Sequence, residues 1–298
     1  MIVYYLILIL AVVCFTAQFG FTRCFEKAIK PALSTTLVMI VVTNLVGVIL
    51  FLIVGGFRVH FSLVSVLWAV AFAAVMIPYF VAGVKVLSLG SLAVYSMFMM
   101  LGGMLVPFFY GVLFLKETLT AGRVLGTVLL SFCIILQTFL QNNADKQTNG
   151  GKKYLFFALC IIIFFINGMT GVIAKAHATS SYAVDEISFL VLSCSFTALI
   201  GLILLTFGGK NTLQALKTTF KVRPILIMAL LGASAYVGNF LHLKAAAYVP
   251  ASVQFPLVSG GVIILSALAS RLVFKEKISK KEWLSVGGAF ISTLLFAF

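Results

Sequence analysis

Charge is what this sequence has least of. Only 9% of its 298 residues are charged and 62% are hydrophobic, whereas a soluble domain carries roughly 25% charged residues. No stretch is polar enough to fold as a separate soluble domain. Acidic residues number seven, Glu26, Glu117, Asp145, Asp185, Glu186, Glu276 and Glu282, and each falls in a loop or at the end of an apolar run. No P-loop, HExxH, GxSxG or intramembrane Asp pair is present, so ATP-driven transport by this chain alone has no motor and an enzyme has no machinery. No cofactor is expected. The five cysteines, Cys14, Cys24, Cys133, Cys160 and Cys194, lack CxxC spacing and mostly sit inside apolar runs. They read as small packing residues, not as a disulfide or metal framework. The basic excess of +14 would suggest nucleic acid in a soluble protein. Here the Lys and Arg residues are scattered through short loops, with no basic-aromatic platform and no finger spacing. The expected partners are a small-molecule substrate and membrane lipids, not nucleic acid; monomer and homodimer both stay open.

What remains is apolar sequence in ten runs, 3–22, 33–55, 63–83, 90–114, 123–140, 153–173, 187–207, 224–243, 251–273 and 283–298. A spanning helix needs about 20 mostly apolar residues. These runs are continuous and near that length, unlike the ~10-residue alternating segments of a membrane barrel. The N-terminal run, MIVYYLILILAVVCF, has no basic flank and no convincing cleavage site, so it reads as a retained first helix. The longest polar run, QNNADKQTNGGKK at 141–153, reads as a flexible linker. The expected fold is an all-α integral membrane protein of about ten transmembrane helices.

The chain also repeats. Displaced by 159 positions, 79–117 lies on 238–276 without a gap, placing Lys85 on Lys244, Gly102 on Gly261, Lys116 on Lys275 and Glu117 on Glu276. A shorter echo puts Gly20, Thr22, Lys27 and Ala28 on Gly168, Thr170, Lys175 and Ala176. Two five-helix halves are expected, 1–141 and 152–298, joined by a linker at 142–151. An odd number of helices makes the second half enter from the opposite side, which gives an inverted repeat about an axis in the membrane plane.

The segments LFLKETLTAGRVLGTVLL (113–130) and LVFKEKISKKEWLSVGGAFIST (272–293) resemble the ends of the two repeats in the drug/metabolite transporter (DMT) superfamily, EamA-like branch. Ser285 stands where the first repeat has Gly126, a small packing change. The resemblance implies ten helices, two repeats, and a cavity surrounded by helices one to four and six to nine. It also implies a secondary transporter. The small multidrug exporters of that superfamily use a first-helix carboxylate, and AVVCFTAQFGF has none.

Lys and Arg number sixteen in the odd loops and five in the even ones, counting Lys175 and Lys244 as loop residues. The positive-inside rule then puts both termini outside, in what is expected to be a multi-pass bacterial plasma membrane protein.

Candidate substrate-binding residues are the polar side chains inside spans: Gln18, Asn44, Tyr79 and Tyr95 in the first four, and Asn167, Tyr236, Asn239, His242 and Gln254 in the sixth to ninth. An amide facing lipid would go unsatisfied, so these should face protein or a wet cavity. Interhelical hydrogen bonding and substrate contact are both open for each. Tyr236, Asn239 and His242 recur at i, i+3 and i+6 and form roughly one stripe. Lys85 and Lys244 either snorkel to head groups or draw an anionic group into the cavity, as lysines do in the related sugar-phosphate carriers. Glu117 and Glu276 read as capping residues near helix starts. Pro78, Pro107 and Pro256 are static bends or hinges. Gly102-Gly103 and Gly260-Gly261 serve close packing or expose carbonyls. The expected function is transport of a small polar metabolite (amino acid, nucleobase or sugar derivative) by alternating access. The alternatives are a multidrug exporter and, outside that class, a lipid-handling protein or membrane enzyme.

Overall fold

A computed structural model describes residues 2–29, 32–89, 92–141, 150–272 and 280–295. Among them there is no strand. The helices are α1 (Ile2–Ala28), α2 (Leu33–Val54), α3 (Leu63–Leu89), α4 (Leu92–Leu113), α5 (Ala121–Gln141), α6 (Gly150–Thr179), α7 (Glu186–Thr206), α8 (Lys210–Thr219), α9 (Val222–Ala246), α10 (Ala251–Leu272) and α11 (Lys280–Leu295). Each expected apolar run falls on one of ten long helices. The eleventh, α8, lies in what the sequence reads as a loop; at ten residues it is too short to span anything.

Five helical stretches are long and apolar enough to cross a membrane: Ile2–Thr22, Leu33–Val54, Tyr154–Thr179, Glu186–Thr206 and Val222–Ala246. Their outward faces carry large apolar side chains, such as Leu6, Ile9, Leu10 and Val13 on α1 and Ile49 and Ile53 on α2, all largely exposed. Exposed apolar faces this extensive require an apolar solvent. The protein is a membrane-embedded helical bundle.

Four helices run further than the apolar pattern indicates. α1 continues to Ala28, α3 to Leu89, α6 to Thr179 and α9 to Ala246. Lys85, Lys175 and Lys244 therefore lie inside helices and not in the joins. Of these three, the loop count loses Lys175 and Lys244 from the poorer side and Lys85 from the richer, which leaves the asymmetry in the same direction.

In the bundle α1 packs on α9 and α10, α2 on α7 and α9, α3 on α6 and α7, α4 on α6 and α10, and α5 on α11. Lipid gives little hydrophobic drive for helix association, so close backbone approach and dispersion must hold helices together. Gly102 and Gly168 provide it where α4 crosses α6. A Cβ on Gly102 would lie 2.0 Å from the Phe164 carbonyl oxygen, and one on Gly168 would lie 2.3 Å from Val106 Cβ. Gly261 takes the side chain of Val12 from α1, and Gly47 lies under the ring of Tyr236. At Gly102 and Gly261 close packing is thus the use the structure makes of the paired glycines.

The loops α2–α3, α4–α5, α6–α7 and α9–α10 gather at one end. His60 Nδ1 meets Asp185 Oδ1 at 2.8 Å, the His60 N–H donates to Ser188 Oγ at 2.9 Å, and Ser62 Oγ donates to the Tyr182 carbonyl at 2.9 Å. Ser65 Oγ accepts from the Val184 N–H at 2.9 Å. Asp185 also caps α7. Burial would raise its carboxyl pKa, but the hydrogen bonds from the Ser188 backbone, His60 and the Ser188 hydroxyl outweigh that and hold it below the usual range. At the opposite end α8 lays Ala215 and Leu216 on Leu37, Val38 and Val41 of α2.

Candidate functional site

Three charged side chains, Lys175, Glu117 and Arg123, converge where α6, α9, α10 and the α4–α5 loop meet. Lys175, 4% exposed, sits near the end of α6. Its Nζ donates to the carbonyls of Ala246 at 2.5 Å and Val249 at 2.9 Å, the last turn of α9 and the α9–α10 turn. The Ala246 carbonyl belongs to the last turn of α9, where no ladder donor follows, and the Val249 carbonyl to the turn beyond it, so an ammonium is well placed on both. Glu117 Oε1 lies 3.9 Å from Nζ.

Glu117 is a capping residue, as its sequence position indicates, but it caps a distant helix. Its carboxylate accepts from the Ala251 N–H at 2.8 Å, the Ser252 N–H at 2.9 Å and the Ser252 hydroxyl at 2.8 Å. These are the first donors of α10, which a negative charge satisfies. Gly111 makes the approach possible: a Cβ there would lie 2.7 Å from Glu117 Oε2. Arg123 adds a second cation, donating to Ser252 Oγ at 3.4 Å and to the Thr118 carbonyl at 2.6 Å.

One turn inward are His242 and Gln254. Gln254, fully buried, donates through Nε2 to the His242 carbonyl at 2.7 Å. Gln254 Oε1 and His242 Nε2 are buried with no hydrogen-bond partner. The His242 ring lies edge-on to Phe255, with centroids 4.9 Å apart, and to Phe15 at 6.1 Å. An unpaired buried acceptor costs about 1–3 kcal/mol, so these two atoms mark a place where a ligand or water completes the polar shell.

Asn167 and Tyr79 meet at a second node. Asn167 Nδ2 donates to the Met99 carbonyl at 2.7 Å and the Tyr79 hydroxyl to Met99 Sδ at 2.8 Å, linking α3, α4 and α6. Asn44 and Asn239 turn back on their own helices, donating to the Ile40 and Ala235 carbonyls at 2.8 Å each. Tyr236 packs its ring over Gly47 and edge-on to Phe51. Gln18 is half-buried on α1. Lys244 is exposed, with Nζ 5.7 Å from the Phe240 ring centre, which fits interfacial anchoring. The side chains of Lys85 and Tyr95, and the Lys275-Glu276 pair, lie outside what the structure describes. The stripe Tyr236, Asn239, His242 is therefore split among three environments, and only His242 joins Gln254. Lys175 was not among the sequence candidates; its match to Lys27 between the halves is the signal that singles it out.

No family model and no curated protein matches the chain. Solved structures do match. One, described only as "Crystal structure of protein", superposes with a TM-score of 0.68 over 99% of this chain and 97% of its own, at 15% identity. At that identity the likeness speaks for the fold alone, and it speaks for nearly all of it.

Proposed function

We propose that the chain is a ten-span secondary transporter of two inverted five-helix halves, resembling the EamA-like drug/metabolite transporters, that moves a small polar metabolite by alternating access. The observation that carries the reading is the packing pattern. Exchange each spanning helix with its counterpart five spans along and the neighbours are preserved: α1 on α9 becomes α6 on α3, α1 on α10 becomes α6 on α4, and α2 on α9 becomes α7 on α3. The pairs α2–α7, α4–α10 and α5–α11 map onto themselves. In secondary transporters built from inverted repeats the substrate site lies between the halves. The unpartnered Gln254 Oε1 and His242 Nε2 supply polar recognition where an apolar bundle has no structural need of it. The even-loop end, poor in Lys and Arg, is the outer face.

The test is solute counterflow in liposomes containing the purified protein, run over amino acids, nucleobases, sugar derivatives and lipophilic cations. Uptake of one metabolite class, lost in Gln254→Leu, supports the reading. Uptake of lipophilic cations alone favours an exporter of drugs. Transfer of labelled lipid between leaflets, with no solute uptake, rejects the metabolite carrier.

A further inference from the structure

The outer end of the bundle holds a carboxylate in a seat that is built for one. The start of α10 offers it two backbone N–H groups and the Ser252 hydroxyl, all within 2.9 Å. Lys175 stands 3.9 Å behind it, and Arg123 reaches it through Ser252. Two cations and a helix N-terminus face a single negative charge, a surplus that favours anions. The occupant is the protein's own Glu117. It comes from the first half, while every donor except Arg123 belongs to the second. Just before it, Lys116 holds a left-handed backbone with φ 53°, which a non-glycine residue keeps only when its surroundings impose it. The Glu117 side chain is thus a tethered anion whose release relaxes its own loop.

The unpartnered atoms lie beside this seat. Lys175 takes the Ala246 carbonyl and Gln254 takes the His242 carbonyl, one turn earlier on α9, so the two side chains stand about one helical pitch, roughly 5 Å, apart along that helix. Gln254 Oε1, fully buried and without a partner, calls for a donor.

We propose that the α10 N-terminus with Lys175 is a substrate-carboxylate site that Glu117 plugs in this state. Its ligand is a small acid with a hydrogen-bond donor a few ångströms from the carboxylate, an amino or hydroxy acid, which takes over the seat from Glu117 and so unfastens the two halves. The exchange role rests on the transporter reading; the anion seat does not.

Glu117→Ala empties the seat, and the test is chemical rescue of that variant in detergent. Sodium acetate is expected to raise its Tm by on the order of 3 °C, with no shift from acetamide or from sodium chloride at equal ionic strength, and none for the wild type with acetate. Adding Lys175→Met removes the rescue. Lactate, with its hydroxyl, acts at lower concentration than acetate, and that advantage disappears when Gln254→Leu is added. If Glu117→Ala does not fold, Glu117→Asp, whose shorter arm leaves the seat partly open, must respond to acetate more than the wild type does. A folded variant that treats acetate, acetamide and chloride alike overturns the site. Equal potency of lactate and acetate overturns the donor requirement. Because rescue is read on protein in detergent, a failure of solute counterflow in liposomes would reject the transporter and leave the seat standing.

Discussion

Adding one methyl group should have opposite effects at two glycines of this bundle. At Gly102 the new Cβ would lie 2.0 Å from the Phe164 carbonyl oxygen, 2.6 Å from its carbonyl carbon and 2.7 Å from its Cα. All three are backbone atoms of a neighbouring helix, so no rotamer change relieves the contact. Bringing the closest one to 3.0 Å requires α4 and α6 to part by about 1 Å, in a core packed as tightly as an organic crystal. Overpacking on that scale costs about 1–3 kcal/mol, and the loosened crossing also strains the Asn167–Met99 hydrogen bond. At Gly287 a Cβ meets nothing within 4 Å, and an alanine in a helix is up to about 1 kcal/mol better than glycine. For a chain of this size 1 kcal/mol moves Tm by roughly 2–4 °C. Gly102→Ala should therefore lower Tm by about 2–12 °C, while Gly287→Ala holds or raises it slightly. The protein carries its own probe: all five cysteines are free, and Cys133, Cys160 and Cys194 are buried, so a thiol-reactive dye reports unfolding. Equal Tm values for the two variants would refute the close α4–α6 crossing.

Two further predictions concern the end where the polar loops gather. Asp185 has a folded pKa below its usual value, so its contribution is present above the unfolded pKa of about 3.9 and is lost as pH falls through the lower folded value. Asp185→Asn should accordingly lower Tm at neutral pH by an amount that shrinks to nothing only below about pH 4; a gap that closes already between pH 7 and 5 would contradict the assignment. Lys175→Met strands the Ala246 and Val249 carbonyls and removes one of the two cations near Glu117, and should cost about 1–3 kcal/mol. Lys175→Met with Glu117→Gln should cost less than the two single changes added, and strict additivity in thermal unfolding would deny their coupling.

The sequence and the structure agree where the signal is local and part where it is tertiary. Length, hydropathy and loop charge locate the long helices, because a lipid-facing helix must be apolar along its whole run and the polar breaks end it. Glycine pairs point to close crossings for the same reason. The ends are another matter. Lys175 follows an apolar run that stops near 173, and nothing local says the helix goes on or that α9 offers two carbonyls to an ammonium. Glu117 advertises a cap, but the helix it caps begins more than a hundred residues away. Asn44 and Asn239 look like cavity groups in sequence, yet each finds a carbonyl one turn back on its own helix, an option every helical asparagine has. The helix α8 is short and polar on one side, so its pattern is indistinguishable from a loop until α2 gives it a surface.

The two ends of the bundle are fastened by different physics, and this bears on the proposed transport cycle. At the end where the α2–α3, α4–α5, α6–α7 and α9–α10 loops gather, both polar clamps join residues before 142 to residues after 150: the α2–α3 loop to the α6–α7 loop through His60 and Asp185, and the α4–α5 loop to α10 through Glu117. At the other end, α8 meets α2 through apolar contact. Polar clamps yield more readily than packed apolar surface, because water can take over each released donor and acceptor. In the proposed alternating-access cycle this polar end is then the one poised to part. His60→Ala combined with Glu117→Ala, which removes the carboxylate that the start of α10 holds, should bias the protein toward opening at this end. Fully buried in this state, position 254 is a suitable reporter: in Gln254→Cys, an impermeant maleimide added outside should label slowly, and at least about tenfold faster once both clamps are cut, since about 1.4 kcal/mol of lost clamping shifts the equilibrium that far. Labelling from outside that ignores both clamps would mean the halves are held at this end by packing alone, and would place the opening step elsewhere in the bundle.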